Sequence, residues 1–188
     1  MTNALTHMLW GYVISRRFTD DKRWLLLGLL FSFVLDIDIL PIPGLTHRGF
    51  MHTVPIVLII SALVLIISRS LTLFYICIIN LFCHLVIDSI SLGSVMWLYP
   101  LTSQGYSIDP FVSFGVIILI NILLLVIPWL YIYYRYKKND ENPLDILYYV
   151  ENKISKRVTY TIIILVVIAM LYFQIPILID VLRAQGLT

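Results

Sequence analysis

Charge is scarce in this sequence. Asp, Glu, Lys and Arg together make up 13% of its 188 residues. A soluble domain of this length carries about a quarter. No run of five or six basic residues occurs, and the net charge is only +2. Both facts argue against a nucleic-acid partner. Cysteine is nearly missing: Cys77 and Cys83 lie six positions apart in one apolar run. That spacing puts them on different helix faces, so they read as packing residues, and no disulfide framework is available. The first fifteen residues lack a basic leading end and a small-residue cleavage site, so no signal peptide is expected. Internal repeats and low-complexity tracts are missing too.

What the chain has instead is hydrocarbon. Hydrophobic residues make up 60% of it, and the mean hydropathy is +0.94. They come in long runs rather than in alternation. This points to an all-α, polytopic integral membrane protein with five to six hydrophobic helices. The runs cover 4–18, 24–40, 54–68, 71–92, 111–134 and 158–179. The first is short and reads as a tilted span or an interfacial helix. The segment 36–53 breaks the pattern at Pro41, Pro43 and Gly44, and reads as a broken or re-entrant stretch. The whole chain, 1–188, reads as one transmembrane domain. Its polar chemistry lies in a core of 1–105. Two further helices, 111–134 and 158–179, are joined by a polar cytoplasmic segment, 135–157, expected to hold a short amphipathic helix over 144–154. Trp129, Tyr131, Tyr133 and Tyr134 suit a membrane interface.

Basic residues orient these runs. If each run crosses once, Arg16, Arg17, Lys22, Arg23, Arg69, Arg135, Lys137, Lys138, Lys153, Lys156 and Arg157 share one side. Only Arg48 and Arg183 face the other. The positive-inside rule makes the first side cytoplasmic. Counted along helices from those anchors, Asp36 lies about 20 Å up, His84 about 22 Å and His7 about 13 Å. His47 and His52 lie in the outer loop or where the chain re-enters. All four histidines, with Asp36, Asp38 and Asp88, therefore converge on the non-cytoplasmic half of the membrane. Ionisable groups at that depth are costly and mark function.

His84 and Asp88 are spaced i, i+4 and face one way on a helix. An imidazole beside a carboxylate suits a zinc-class divalent ion. Asp36 and Asp38, at i, i+2, point apart on a regular helix. Both can be ligands only if the helix unwinds; otherwise one binds metal and the other orients a histidine. Arg48 stands next to His47 and suits an anionic oxygen, most naturally phosphate. The candidate metal ligands are His7, Asp36, Asp38, His47, His52, His84 and Asp88. They are enough for one or two ions, Zn2+ first, with Mn2+ or Mg2+ as alternatives. A donor set without cysteine favours hydrolysis over a structural zinc site. The metal acidifies water, Asp38 is the candidate general base, and Arg48 is the candidate contact for the substrate oxygen.

These residues resemble those of the YdjM-like inner-membrane metal-dependent hydrolases. The likeness rests on Thr6-His7-Met8-Leu9-Trp10-Gly11, on Asp36-Ile37-Asp38, on the block from His47 through Arg48, Gly49, Phe50, Met51 and His52 to Thr53, and on His84 with Asp88. The stretch 92–100, with Gly93, Trp97 and Pro100, is similar to the family's glycine–tryptophan–proline tail. The resemblance covers 1 to about 105. Met51 and Thr53 depart from the family's Thr and Ser, and no basic residues follow the tail. The resemblance implies a distant likeness to the zinc-dependent phospholipase C and single-strand nuclease superfamily, and so a phosphoester or phospholipid substrate.

The expected function is a membrane-embedded metal-dependent hydrolase. It would cleave a phosphate ester of a membrane lipid or lipid-linked substrate at the outer leaflet of the plasma (inner) membrane. The alternative is a protein that binds or transports a divalent cation through the same Asp/His cluster. A transport path needs polar groups along its whole length, and the cytoplasmic halves of the runs have few. The last two runs carry no chemistry of their own. They would shape a lipid-facing groove or a dimer contact, so a homo-oligomer is compatible with the sequence.

Overall fold

Long apolar runs leave the backbone to satisfy its own polar groups, and helix does this within one segment. The computed structural model describes residues 4–39, 47–91, 94–108, 112–139, 142–146 and 149. Its elements are α1 (Ala4–Arg16), α2 (Lys22–Phe31), a 3-10 helix (Val34–Ile39), α3 (Val54–Ser68), α4 (Leu71–Ile90) and α5 (Phe114–Asn139). No strand occurs among the described residues, only an isolated antiparallel bridge between Val95 and Tyr106. The chain divides into two compact units, Met1–Pro143 and Leu144–Thr188. All the helices named above lie in the first. The expected break at Pro41, Pro43 and Gly44, the last hydrophobic run, and most of the expected amphipathic helix lie outside the described residues.

α4 and the Phe114–Lys138 stretch of α5 are long and apolar enough to cross a membrane. α3, at 15 residues, spans about 22 Å, short of a bilayer core of about 30 Å. The second run differs from its expected course. A continuous helix to Asp36 was expected, but α2 ends at Phe31. There the Ser32 hydroxyl donates to the Leu29 carbonyl at 2.7 Å, competing with the helix ladder. Phe33 N–H then bonds Leu30 and Asp36 N–H bonds Phe33, both reaching back three residues. The chain tightens into the 3-10 helix that carries both aspartates. α5 runs the other way, five residues past the end expected at Tyr134. Lys137 and Lys138 suit its C-terminal dipole, and the Lys138 ammonium lies 5.4 Å from the Tyr134 ring centre.

α1 packs on α2, α4 and α5, and α3 packs on α4. The α1–α2 contact is close because it is made of small residues. A Cβ on Gly28 would overlap the Ser15 hydroxyl, and one on Gly11 would overlap Ser32. Asn80 of α4 donates to Ser15 at 3.2 Å and joins the third helix to this seam. α3 starts where the Thr53 side chain accepts from Ile56 N–H. It ends at Arg69, whose left-handed φ of 52° turns the chain into α4. Leu35, Ile56, Val57, Cys77, Leu81, Leu85 and Val95 form the buried core between the 3-10 helix, α3, α4 and the loop beyond. Leu35 and Leu85 are chain neighbours of Asp36 and His84, so the core forms the floor of the site.

Candidate metal centre

The α3–α4 hairpin turns at Arg69. His52 precedes α3, while His84 and Asp88 lie late in α4, so all three meet at the opposite end of the hairpin. The 3-10 helix arrives at the same end from α2. Asp36 and Asp38 still face different ways on it, and this divides their work around the His52 ring.

One face of the cluster is a set of four donor atoms. His52 Nε2 lies 3.1 Å from His84 Nε2. It lies 3.5 Å from Asp36 Oδ1 and 3.3 Å from Asp88 Oδ2. His84 Nε2 lies 3.4 Å from the same Asp36 oxygen and 3.6 Å from the same Asp88 oxygen. All four residues offer donor atoms within 4.8 Å of one another. A tetrahedral zinc bound at about 2.0–2.1 Å has ligand–ligand edges of about 3.3–3.4 Å. The measured separations scatter around that value.

The tautomers point the same way. His84 Nδ1 lies 2.7 Å from the Ser32 carbonyl, which can only accept, so this nitrogen carries the hydrogen. His52 Nδ1 lies 2.9 Å from Asp38 Oδ2 and donates to it as a carboxylate. Both rings thus present Nε2 to each other and to two carboxylates. Two Nε2 atoms this close need either a proton or a metal cation between them. His52 shows the same field: burial lowers its pKa, but hydrogen bonding to Asp36, Asp38 and Asp88 outweighs burial and pushes it up to about 11. Three carboxylates against the single guanidinium of Arg48 leave a formal charge of −2 when the histidines are neutral. A divalent ion neutralises it.

The other face is built on Asp38. Its Oδ1 lies 3.0 Å from His47 Nδ1, and its Oδ2 also accepts the Arg48 backbone N–H at 3.1 Å. That bond holds Arg48 in a left-handed φ of 61°, which a side chain rarely adopts. Asp36, Asp38, His47 and His52 form a second group whose donors lie within 4.8 Å. The Arg48 side chain is buried, not turned outward. Its Nη2 lies 3.2 Å from Asp88 Oδ1 and 3.1 Å from the Ser91 hydroxyl. His7 stacks on His84, with ring centres 3.8 Å apart, and its Nε2 lies 3.4 Å from Asp88 Oδ1. Its Nδ1 is buried with no hydrogen-bond partner among the described residues. Asp88 therefore turns one oxygen to His7 and Arg48 and the other to the donor set.

All eight residues singled out in the sequence are brought into one cluster. His7, Asp38, His47 and Arg48 surround the four-donor set of Asp36, His52, His84 and Asp88. Sequence reasoning missed Ser32 and Ser91. Ser91 follows Asp88 by one short turn, and that spacing was a usable signal. Ser32 acts through its backbone carbonyl, which no side-chain motif reveals. The loop after α4 is tied in as well. Val54 N–H donates to the Trp97 carbonyl at 2.8 Å, and the Trp97 indole donates to Ser89 at 2.7 Å.

The family model described as YdjM inner membrane protein matches residues 1–178. No curated protein and no solved structure matches the chain.

Proposed function

We propose that this chain, which belongs to the YdjM inner membrane protein family, is a metal-dependent hydrolase cleaving a phosphate ester of a lipid or lipid-linked substrate. The observation that carries the reading is the four-donor set at tetrahedral spacing, buried at all but Asp36 and drawn from three separate chain segments. His52, His84, Asp36 and Asp88 would hold one divalent ion. Two imidazoles favour zinc over Mg2+ or Mn2+, which prefer all-oxygen sites. A second ion in the other group would compete for His52, whose Nδ1 is already bonded to Asp38.

A zinc-class ion bound there would supply the Lewis acidity that makes water a nucleophile near neutral pH; four protein donors fill a tetrahedral shell, so the least buried of them, Asp36, would have to cede its place to that water. The chain's own groups do the rest. Asp38 and the Ser32 carbonyl hold the two histidine rings in register. Arg48 places positive charge beside Asp88, where an anionic substrate oxygen is attracted. Asp38 also faces His47, whose side chain is 26% exposed, unlike the buried His52, so a proton taken up by Asp38 would have that route to solvent. Arg16, Arg69, Lys137 and Lys138 lie at the C-terminal ends of α1, α3 and α5, which supports a site on the non-cytoplasmic side of a multi-pass protein.

The test is metal analysis of the purified protein, then phosphate release from lipid phosphates with and without chelator. Bound zinc and chelator-sensitive release are expected. Bound metal without ester cleavage, together with ion flux across liposomes, would establish the cation-transport alternative instead.

A further inference from the structure

Phe50 lies between Arg48 and His52, and both of those are buried. Its own side chain is 46% exposed. Its ring meets Tyr99 edge-on, with centres 6.4 Å apart and planes at 85°. Tyr99 is itself 38% exposed. The Tyr99 turn is anchored to the site from two sides: Trp97 bonds to Val54, just past His52, and to Ser89, just past Asp88. Leu98 and Leu101 of the same turn are also exposed. Phe50 thus stands two residues from the donor His52, and the turn that carries Tyr99 is hydrogen-bonded to the segments that carry His52 and Asp88. Exposed apolar residues also cover α3 and α5, where they suit lipid, but this group is set apart by its place on loops tied to the donor set. It adjoins a buried cation site and a buried guanidinium. Charge on one side and hydrocarbon on the other match an amphiphile with an anionic head.

We propose that Phe50 and Tyr99 seat the hydrocarbon chain of the substrate, a long-chain phosphate ester whose head lies at Arg48 and the metal donors. They are specificity-determining residues. This inference rests on the hydrolase reading for its substrate, and its test separates the two. Metal-loaded protein in detergent is titrated with dioctyl phosphate and with inorganic phosphate. The wild type binds dioctyl phosphate more tightly. Phe50→Ala and Tyr99→Ala each weaken dioctyl phosphate by roughly tenfold and leave bound metal and the affinity for inorganic phosphate in place. Phe50→Leu, which keeps an apolar side chain, retains most of the preference. Equal weakening of both ligands would mark the pair as a structural or bilayer contact and overturn the proposal. So would a wild type that shows no preference for the alkyl chains. Hydrolysis of dioctanoyl phosphatidic acid is followed in parallel. Its absence overturns the hydrolase reading alone, because chain selection is read from binding.

Discussion

The Trp10 indole N–H of α1 donates at 2.8 Å to the carbonyl of Leu124 in α5. Leu124 lies four residues before Pro128. In a regular helix that carbonyl accepts from the residue four positions on, but proline has no N–H to give. Trp10 fills the gap from a neighbouring helix. In hydrocarbon an unmet carbonyl is costly, so the bond ties α5 to α1.

Trp10→Phe should therefore lower stability by about 1 kcal/mol, measured by thermal unfolding in detergent. In a Pro128→Ala background the ladder is whole again, and the same substitution should cost much less. Equal costs in both backgrounds would show that the indole bond does not act through the proline gap.

The His84 and Asp88 donors belong to the four-atom set. His84→Ala and Asp88→Ala should each strip the bound metal and abolish ester cleavage, read by elemental analysis of the purified variants. Asp38→Asn removes the charge of the carboxylate that holds the His52 ring, His47 and the Arg48 backbone, but takes away no donor of the four-atom set. A loss of metal affinity of about 10–100-fold is expected, less severe than the loss of a donor.

Arg48 lies against Asp88 Oδ1, not against the four-donor set. Arg48→Ala should leave metal content near normal and reduce ester cleavage by about a hundredfold or more. Arg48→Lys keeps the charge but not the planar fork, and should recover only part of the rate. Metal loss in Arg48→Ala would show that the guanidinium holds Asp88 for the ion rather than serving the substrate.

Metal competes with a proton at His52. Because the surrounding carboxylates raise the His52 pKa to about 11, the ring of the metal-free protein is protonated across the neutral range. Zinc binding must release that proton, so affinity should rise with pH by about tenfold per unit for one proton. Competition titrations with a chromophoric chelator between pH 6 and 8 measure the slope, and a flat profile would contradict the assignment.

Gly28 has no room for a methyl group against Ser15. Gly28→Ala should destabilise the α1–α2 seam by about 1–3 kcal/mol. Ser32, just beyond α2, holds the His84 ring, so the same variant should also bind zinc more weakly. Thermal unfolding followed with and without zinc separates the two effects.

Much of this protein can be read from its sequence. Composition and unbroken apolar runs determine a helical, membrane-type chain, because only helix satisfies such a backbone without water. The donor residues are equally legible: His, Asp and Arg stand out against hydrocarbon, and Lys and Arg mark the ends opposite to them. The bounds of α3 coincide with the apolar run 54–68, set between Thr53 and Arg69.

Other features needed the tertiary structure. Where α2 stops depended on Ser32 bonding back to Leu29 and on the pull of a core that includes Leu35. That Asp36 faces the two Nε2 atoms while Asp38 holds His52 by Nδ1 follows from how the 3-10 helix meets α4. The Ser32 carbonyl, the left-handed Arg48, the Arg48–Asp88 contact and the Phe50–Tyr99 pair join positions far apart in the chain. The sequence determined which chemical groups are present and which of them gather at one end of the helices. Packing decided which atom of each faces which neighbour, because donor-to-donor distances are set by the meeting of helices and not by spacing along any one of them.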